Sequence, residues 1–83
     1  MKIWKYVLRM DGLTVIEVPE GAELATAGLL NDEICVWAIV DPDKPKVPRK
    51  ILSVWTGNEV GNVLKYLGIF TVGPLVYHVV EVE

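Results

Sequence analysis

The stretch from Glu33 to Pro42 reads E-I-C-V-W-A-I-V-D-P and contains seven consecutive apolar residues, Ile34 to Val40. Four of them are β-branched, and polar or turn-forming residues close the run at both ends. A short β-branched run between turn signals is typical of a strand that is covered on both faces. A buried helix of this composition would run longer and contain fewer β-branched residues. The stretch therefore predicts the central strand of a sheet, with Trp37 in the core.

Alternation predicts two strands near the amino terminus. Lys2–Met10 alternates, and Trp4 and Tyr6 lie on its fully apolar side. Asp11-Gly12 then predicts a tight hairpin, because glycine supplies the positive φ that such a turn requires. The chain is expected to return as the strand Leu13–Val18, which ends at a proline turn.

The segments on either side of the central strand are read from their turn residues. Residues 22–30 are ambiguous, because helix-favouring residues are interrupted by Thr26 and Gly28. The turn pair Asn31-Asp32 favours a third strand that pairs with the central one. After the central strand, Asp41–Pro48 contains three prolines, which predicts an exposed loop that cannot join a strand ladder.

Three further strands are predicted after that loop, at Arg49–Thr56, Leu64–Thr71 and Leu75–Val82. The last two mirror each other across Val72-Gly73-Pro74, which predicts a hairpin. Helical spacing in Glu59–Leu67 competes with this hairpin, so any helix is limited to about one turn near residues 59–63. We therefore expect one all-β domain over residues 1–83: a small antiparallel barrel or sandwich of about seven strands, with at most one short helical turn.

Length and composition predict self-association. A chain of 83 residues buries only ~60% of its unfolded surface, so its own core stabilises it marginally. Cys35 and His78 are the only cysteine and the only histidine, which excludes an internal disulfide and argues against a tetrahedral zinc site. Hydrophobic residues make up 52% of the chain and the mean hydropathy is +0.37. We therefore expect a homo-oligomer, a dimer or tetramer, in which a second subunit covers the surplus apolar surface and adds stability.

Charge and segment composition limit the partners and the compartment. The net charge of −3 argues against binding to long nucleic acid, which requires a basic surface. No apolar run approaches the ~18 residues of a membrane span, and Met1 leads into alternating residues without a signal-peptide core. A free thiol without an export signal predicts a reducing cytoplasm.

No catalytic constellation stands out in the sequence. His78 lies in a predicted strand, where it is either a hydrogen-bonded core or interface residue or a general base. Cys35 lies in the most apolar strand, where a thiol stays protonated and inert. The sequence thus predicts no enzyme, no catalytic residue, no metal site and no cofactor. The segment Gly57–Gly61 reads G-N-E-V-G and is either a plain turn or a loop whose amides hold a phosphate.

The whole chain resembles a family of small phage and prophage proteins. The resemblance is carried by K-I-W-K-Y (Lys2–Tyr6), V-P-E-G-A (Val18–Ala22), C-V-W-A-I-V-D-P (Cys35–Pro42), T-G (Thr56-Gly57), Y-L-G (Tyr66–Gly68) and G-x-L-V-aromatic-H (Gly73–His78). These motifs lie in register over nearly the full length. Asn58 departs from the pattern, which has a histidine after Thr-Gly.

Proteins of this pattern resemble viral anti-CBASS sponge proteins. Those sponges hold a cyclic dinucleotide such as 3′,3′-cGAMP in a tetramer without cleaving it. The resemblance implies a phage immune-evasion protein that acts in the cytoplasm of its bacterial host. It also implies a cyclic di- or oligonucleotide ligand bound between subunits and no catalytic turnover.

Residue chemistry suggests which side chains would hold such a ligand. The candidate site consists of Arg49 and Lys50 at the phosphates, Thr56, Gly57 and Asn58 as hydrogen-bonding groups, and Trp4, Tyr6 or Tyr66 as stacking aromatics. Two alternatives are a phage protein-interaction or structural accessory module without a small ligand, and a small barrel that binds single-stranded nucleic acid. The acidic balance disfavours the second of these.

Overall fold

The computed structural model describes residues 1–83 and contains seven strands and no helix. The strands are β1 (Lys2–Leu8), β2 (Gly12–Pro19), β3 (Glu23–Leu30), β4 (Glu33–Val40), β5 (Lys46–Trp55), β6 (Val63–Val72) and β7 (Leu75–Val82). They form a three-stranded sheet in the order β1-β4-β3 and a four-stranded sheet in the order β2-β5-β7-β6, with every pair antiparallel. The all-β prediction is confirmed, and the architecture is sandwich-like. The short helical turn near residues 59–63 does not form.

Strand β4 is the centre of the three-stranded sheet, as its apolar run predicts. Asn31 and Asp32 have φ angles of 50° and 65°, so they form the tight turn that pairs β3 with β4. Every second side chain of β4, from Ile34 to Val40, is at most 1% exposed and packs in the core. Trp37 has the opposite orientation and is half-buried outside the core, so its predicted core position is wrong.

The core lies between the two sheets and has 15 buried residues. Its members are Leu8, Ile16, Val18, Ala22, Leu24, Ala27, Ile34, Val36, Ala38, Val40, Ile51, Leu67, Phe70, Tyr77 and Val79. All seven strands or the turns beside them contribute to this set. Burial of these side chains is the main favourable contribution to folding.

The predicted hairpin at Asp11-Gly12 is wrong. Strand β1 pairs with β4, and β2 pairs with β5, so the chain crosses from one sheet to the other at residues 9–11. The Arg9 amide donates to the Thr14 hydroxyl across this corner, at 2.9 Å. A side chain thereby satisfies the amide that a hairpin partner would otherwise satisfy. The later hairpin between β6 and β7 is confirmed, with its turn at Gly73-Pro74.

The proline-rich segment is shorter as a loop than predicted, because β5 begins at Lys46 and Pro48 pairs with Glu17 of β2. On its other side, β5 meets β7 only as far as Lys50, which lies opposite Val82. The Thr56 amide donates to the Val76 carbonyl of β7, so even-numbered residues of β5 direct their N–H groups to the β7 side. At Pro48 that side has no strand, so its missing N–H costs no ladder hydrogen bond. This explains why a proline is tolerated inside a strand of a four-stranded sheet.

The edges of the two sheets meet where β3 faces β6. A Cβ built on Gly68 would lie 2.2 Å from the carbonyl oxygen of Ala27, so only glycine allows this approach. The Lys65 ammonium donates to the carbonyl of Leu24 at 2.6 Å, and the Thr26 hydroxyl donates to the carbonyl of Leu67 at 3.4 Å. Both edge strands have irregular register at this position, and such bulges bend a strand locally. These contacts close the sandwich along one side.

Replacing Gly68 with alanine tests this close approach. Gly68→Ala is expected to lower the free energy of unfolding by about 1–3 kcal/mol, because the new methyl group displaces backbone rather than a flexible side chain. Gly28→Ala is the matched control, since its Cβ meets no atom within 4 Å. That variant is expected to stay within about 0.5 kcal/mol of the parent. Urea denaturation of the two variants measures the difference, and equal stabilities would contradict the close contact.

Candidate functional site

The structure gathers some of the predicted site residues and separates the others. Thr56 and Tyr66 meet at His78 on the outer face of the four-stranded sheet, which is the face that points away from the three-stranded sheet. Gly57 and Asn58 follow Thr56 in the turn after β5. The remaining four residues, Trp4, Tyr6, Arg49 and Lys50, lie elsewhere.

A hydrogen-bonded chain runs across three neighbouring strands, from Tyr66 on β6 through His78 on β7 to Thr56 after β5. The Tyr66 hydroxyl lies 2.7 Å from Nδ1 of His78, and Oγ1 of Thr56 lies 2.6 Å from Nε2. The Thr56 hydroxyl also lies 3.4 Å from the carbonyl oxygen of Val76. A neutral imidazole has one donor and one acceptor nitrogen. Every group is satisfied if Tyr66 donates to Nδ1, Nε2–H donates to Thr56, and Thr56 donates to Val76. We refer to these three side chains as the Tyr66–His78–Thr56 chain.

The segment that follows Thr56 forms a plain turn. The Asn58 amide donates to the carbonyl of Trp55 at 3.2 Å, and Gly57 has a φ of 94° at the third position of the turn. The amide of Asn58 is therefore already used within the turn. Of the two interpretations of G-N-E-V-G, the geometry favours the turn over a loop that holds a phosphate with successive amides.

A cleft of about 310 Å³ adjoins Thr56 at the end of β5 and the start of β7. Its lining residues are Trp55, Thr56, Pro74, Leu75 and Val76. The Trp55 indole is 43% exposed, and its edge packs against the Tyr77 ring at 5.9 Å and 81°. Tyr77 in turn stacks on Phe70 at 4.9 Å and 6°. Trp55 is thus held in place by a buried aromatic stack while part of its ring faces solvent.

Trp55 and His78 are the residues that sequence reasoning did not place in the ligand site. The sequence shows that Trp55 stands at the end of a predicted strand, directly before the Thr-Gly turn, but not that part of its ring is exposed. No comparable signal existed for His78. Its hydrogen-bonding partners lie 12 and 22 residues away in the sequence, so they become neighbours only through strand pairing.

Arg49 is committed to an ion pair between the sheets. Its Nε donates to Oε2 of Glu81 at 2.6 Å, its Nη2 donates to Oε1 of the same carboxylate at 2.9 Å, and its Nη1 donates to the carbonyl of Ala22. The side chains are 23% and 8% exposed, respectively. The hydrogen bond with Glu81 raises the pKa of the Arg49 guanidinium, so it stays charged. A ligand phosphate would have to displace the Glu81 carboxylate from this guanidinium.

Lys50 lies on the same outer face as the Tyr66–His78–Thr56 chain, at the other end of β5. Six residues of extended strand separate it from Thr56, which corresponds to about 20 Å. Its ammonium is exposed and forms no ion pair. The two neighbouring cations in the sequence therefore have opposite environments: Arg49 points between the sheets and Lys50 points to solvent.

Trp4 and Tyr6 lie on the inner side of β1, where both are half-buried against the core. The Lys46 ammonium sits 6.0 Å from the centre of the Trp4 ring. The Tyr6 hydroxyl is buried without a hydrogen-bond partner, and this burial raises the pKa of Tyr6. Of the three predicted stacking aromatics, only Tyr66 is largely exposed, at 54%.

The acidic, cysteine and histidine side chains do not gather in a group of three or more that could hold a metal ion. The Cys35 thiol is fully buried. No helix is available that is long and apolar enough to cross a membrane.

The ion pair between the sheets predicts a stability effect. Glu81→Gln is expected to destabilise the fold by about 2–3 kcal/mol, because it leaves the Arg49 charge between the sheets without a counterion. The loss stays below that of a fully buried pair, because Arg49 retains contact with water. Glu83→Gln is the control, since Glu83 is exposed and bonds only to Asn62. Equal urea midpoints for the two variants would contradict this role of Glu81.

The unpartnered hydroxyl of Tyr6 predicts an effect of the opposite sign. Tyr6→Phe removes a buried polar atom that has no hydrogen bond, so the stability is expected to stay the same or to rise by about 1 kcal/mol. Thermal melts followed by circular dichroism measure this change. A clear loss of stability would show that the hydroxyl has a partner in solution.

Comparison with known proteins places the chain in a family. A family model described as a domain of unknown function, DUF7352, matches residues 1–83. No curated protein matches the chain. No solved structure matches it either. Since the match covers the whole sequence, this chain belongs to the DUF7352 family of domains of unknown function.

Proposed function

We propose that this chain binds and sequesters a cyclic nucleotide signal, such as 3′,3′-cGAMP, without cleaving it. The observation that supports this function best is the cleft at the end of β5, which the exposed part of Trp55 and Thr56 line together. The Thr56 hydroxyl is in turn hydrogen-bonded to His78 on the outer face of the sheet. An aromatic surface next to a hydroxyl group suits a base and its ribose, because every base has a π-face and polar edges. The sequence resemblance to anti-CBASS sponges supports the cyclic class of ligand and a role in phage immune evasion inside the bacterial host.

The size of the cleft supports one nucleoside per chain. A volume of about 310 Å³ lies at the lower end of ligand pockets, which span about 300–1,000 Å³. A cyclic dinucleotide has two similar halves, so two copies of the chain would suit its two nucleosides. Each copy would then offer Trp55 to one base and the hydroxyl of Thr56 to one ribose or base edge.

The charge arrangement also predicts how the affinity depends on salt. The Arg49 guanidinium is engaged by Glu81, so stacking and hydrogen bonds supply most of the binding energy in this proposal. Binding that releases few counterions changes little with salt concentration.

The second candidate function is a phage protein-interaction or structural accessory module without a small ligand. The observation that favours it is the number of large apolar side chains that the single chain exposes, among them Ile3, Leu64 and Ile69 at 71%, 58% and 56%. Apolar surface of this extent commonly marks contacts between proteins. This function predicts no binding to any nucleotide.

Calorimetry against a panel of cyclic di- and trinucleotides tests the proposed function. Trp55→Ala and Thr56→Val are each expected to weaken the binding of the best ligand by about tenfold. The tryptophan would lose one stacked base, at ~1–3 kcal/mol, and the threonine one hydrogen bond, at about 0.5–1.5 kcal/mol. Trp37→Ala is the matched control, because Trp37 lies on the outer face of the three-stranded sheet and does not line the cleft. It is expected to bind like the parent.

Chromatography of the ligand recovered after heat denaturation of the complex separates sequestration from cleavage. Intact ligand is the expected result, and a linear product would contradict the proposal. No heat signal from any nucleotide at ~10–100 µM, the range in which weak ligands are detected, would favour the protein-interaction module.

A further inference from the structure

We propose that the outer face of the four-stranded sheet packs against the same face of a second copy of this chain. The inference rests on the side chains of that face and not on the proposed function. It assigns one surface to the self-association that the composition predicts.

Four rows of side chains that each run across at least three strands form the main part of the outer face. Strand pairing places them as Val15, Lys50, Val82 and Val63; Leu13, Leu52, Val80 and Tyr66; Val54, His78 and Ile69; and Thr56, Val76 and Thr71. Nine of these 14 side chains are aliphatic, and one is charged. An antiparallel sheet that faces water normally has polar residues on its outer side.

At the carboxyl end of β7 the charged side chain points inwards and the apolar side chains point outwards. Glu81 points inwards and pairs with Arg49, whereas Val80 and Val82 point outwards. A strand adapted to one covered face and one wet face would have the opposite arrangement. The outer face of β7 therefore has the composition of a covered surface.

Single chains leave most of this surface uncovered. Val80 and Val54 in the middle are already shielded by their neighbours, at 4% and 9% exposed. Around them, Leu13, Val15, Val63, Tyr66 and Ile69 are 43–56% exposed. An aliphatic centre that is already shielded, surrounded by exposed apolar side chains, is suited to packing against another flat sheet about 10 Å away.

The area of the outer face reaches the lower limit of a specific interface. The chain is a slab with Cα extents of 41 × 29 × 15 Å, and the thinnest extent fits two packed sheets. The four rows on four strands cover roughly 19 × 27 Å, or about 500 Å² per copy. Two copies would thus bury about 1,000 Å² in total, which is the lower limit for a specific interface.

The charges favour a second copy as the occupant. A two-fold interface brings the same patch of both subunits together, so a charged patch would repel itself. Lys50, the one charged side chain in the four rows, lies in an end row. Beyond it only β2 and β5 continue, and they add Glu17 and Lys46, of opposite charge, to the rim of this face. No like charges meet at the centre of such an interface, and an acidic or basic partner would find few counter-charges on it.

The outer face of the three-stranded sheet is less suited to this contact. Lys5 lies in its middle, directly opposite Trp37, and Glu23 and Glu33 stand at its two ends on the same side. Burial of these three charged groups would cost desolvation free energy, and they form no ion pair with one another that would offset it. The exposed Ile3 on this face provides a matched control for the experiment.

Analytical ultracentrifugation over a range of concentrations tests the proposal. The parent chain is expected to sediment as a dimer or a larger assembly built from it. Ile69→Lys and Leu13→Lys, on β6 and β2 of the proposed interface, are each expected to weaken the association by at least about tenfold. Ile3→Lys introduces the same charge at the other face and is expected to associate like the parent. Circular dichroism checks that every variant is folded.

Each outcome decides the proposal. A parent chain that remains monomeric up to ~100 µM would overturn it, as would dissociation by Ile3→Lys with no effect of Ile69→Lys and Leu13→Lys. A dimer that loses nucleotide binding in Trp55→Ala but keeps its association would support both proposals independently. A dimer that binds no nucleotide would retain this interface and remove only the proposed function.

Discussion

The burial of one side of β4 between the two sheets is the constraint on which this structure depends. Ile34, Val36, Ala38 and Val40 are almost completely inaccessible, and side chains from the other strands pack around them. Two thin sheets give each strand only one covered face. Because more than half of the residues are hydrophobic, the apolar side chains exceed what one core between two sheets holds. The surplus appears on the outer faces.

Local patterns predicted most of the secondary structure and little of the long-range pairing. The alternation of Lys2–Met10, the turn at Asn31-Asp32 and the mirrored strands around Gly73 each depend on neighbours in sequence, and each was found as expected. The hairpin prediction at Asp11-Gly12 is wrong because this sequence specifies a sharp bend but not which sheet the next strand joins. The choice of sheet depends on the core, to which residues throughout the chain contribute.

The candidate site also combines features that residue type predicts with contacts that only long-range strand pairing creates. Thr56 and Tyr66 were predicted from residue type, but their connection through His78 requires three strands to lie side by side. Arg49 has the chemistry of a phosphate ligand, yet its partner Glu81 lies 32 residues further along the chain. No local pattern shows that this guanidinium is already occupied. Charged residues in strands are therefore weak indicators of ligand contacts until their partners across the sandwich are known.

The two cations that donate to main-chain carbonyls have a consequence for aggregation. Arg49 and Lys65 bond the carbonyl oxygens of Ala22 and Leu24, at the start of β3. An edge strand with free carbonyl groups is a template on which a foreign strand can add itself. Here those acceptors are occupied by side chains of the opposite sheet, so strand addition at this position would first have to break both bonds. The same contacts that join the sheets thus protect an edge of an unusually apolar chain from fibril-like growth.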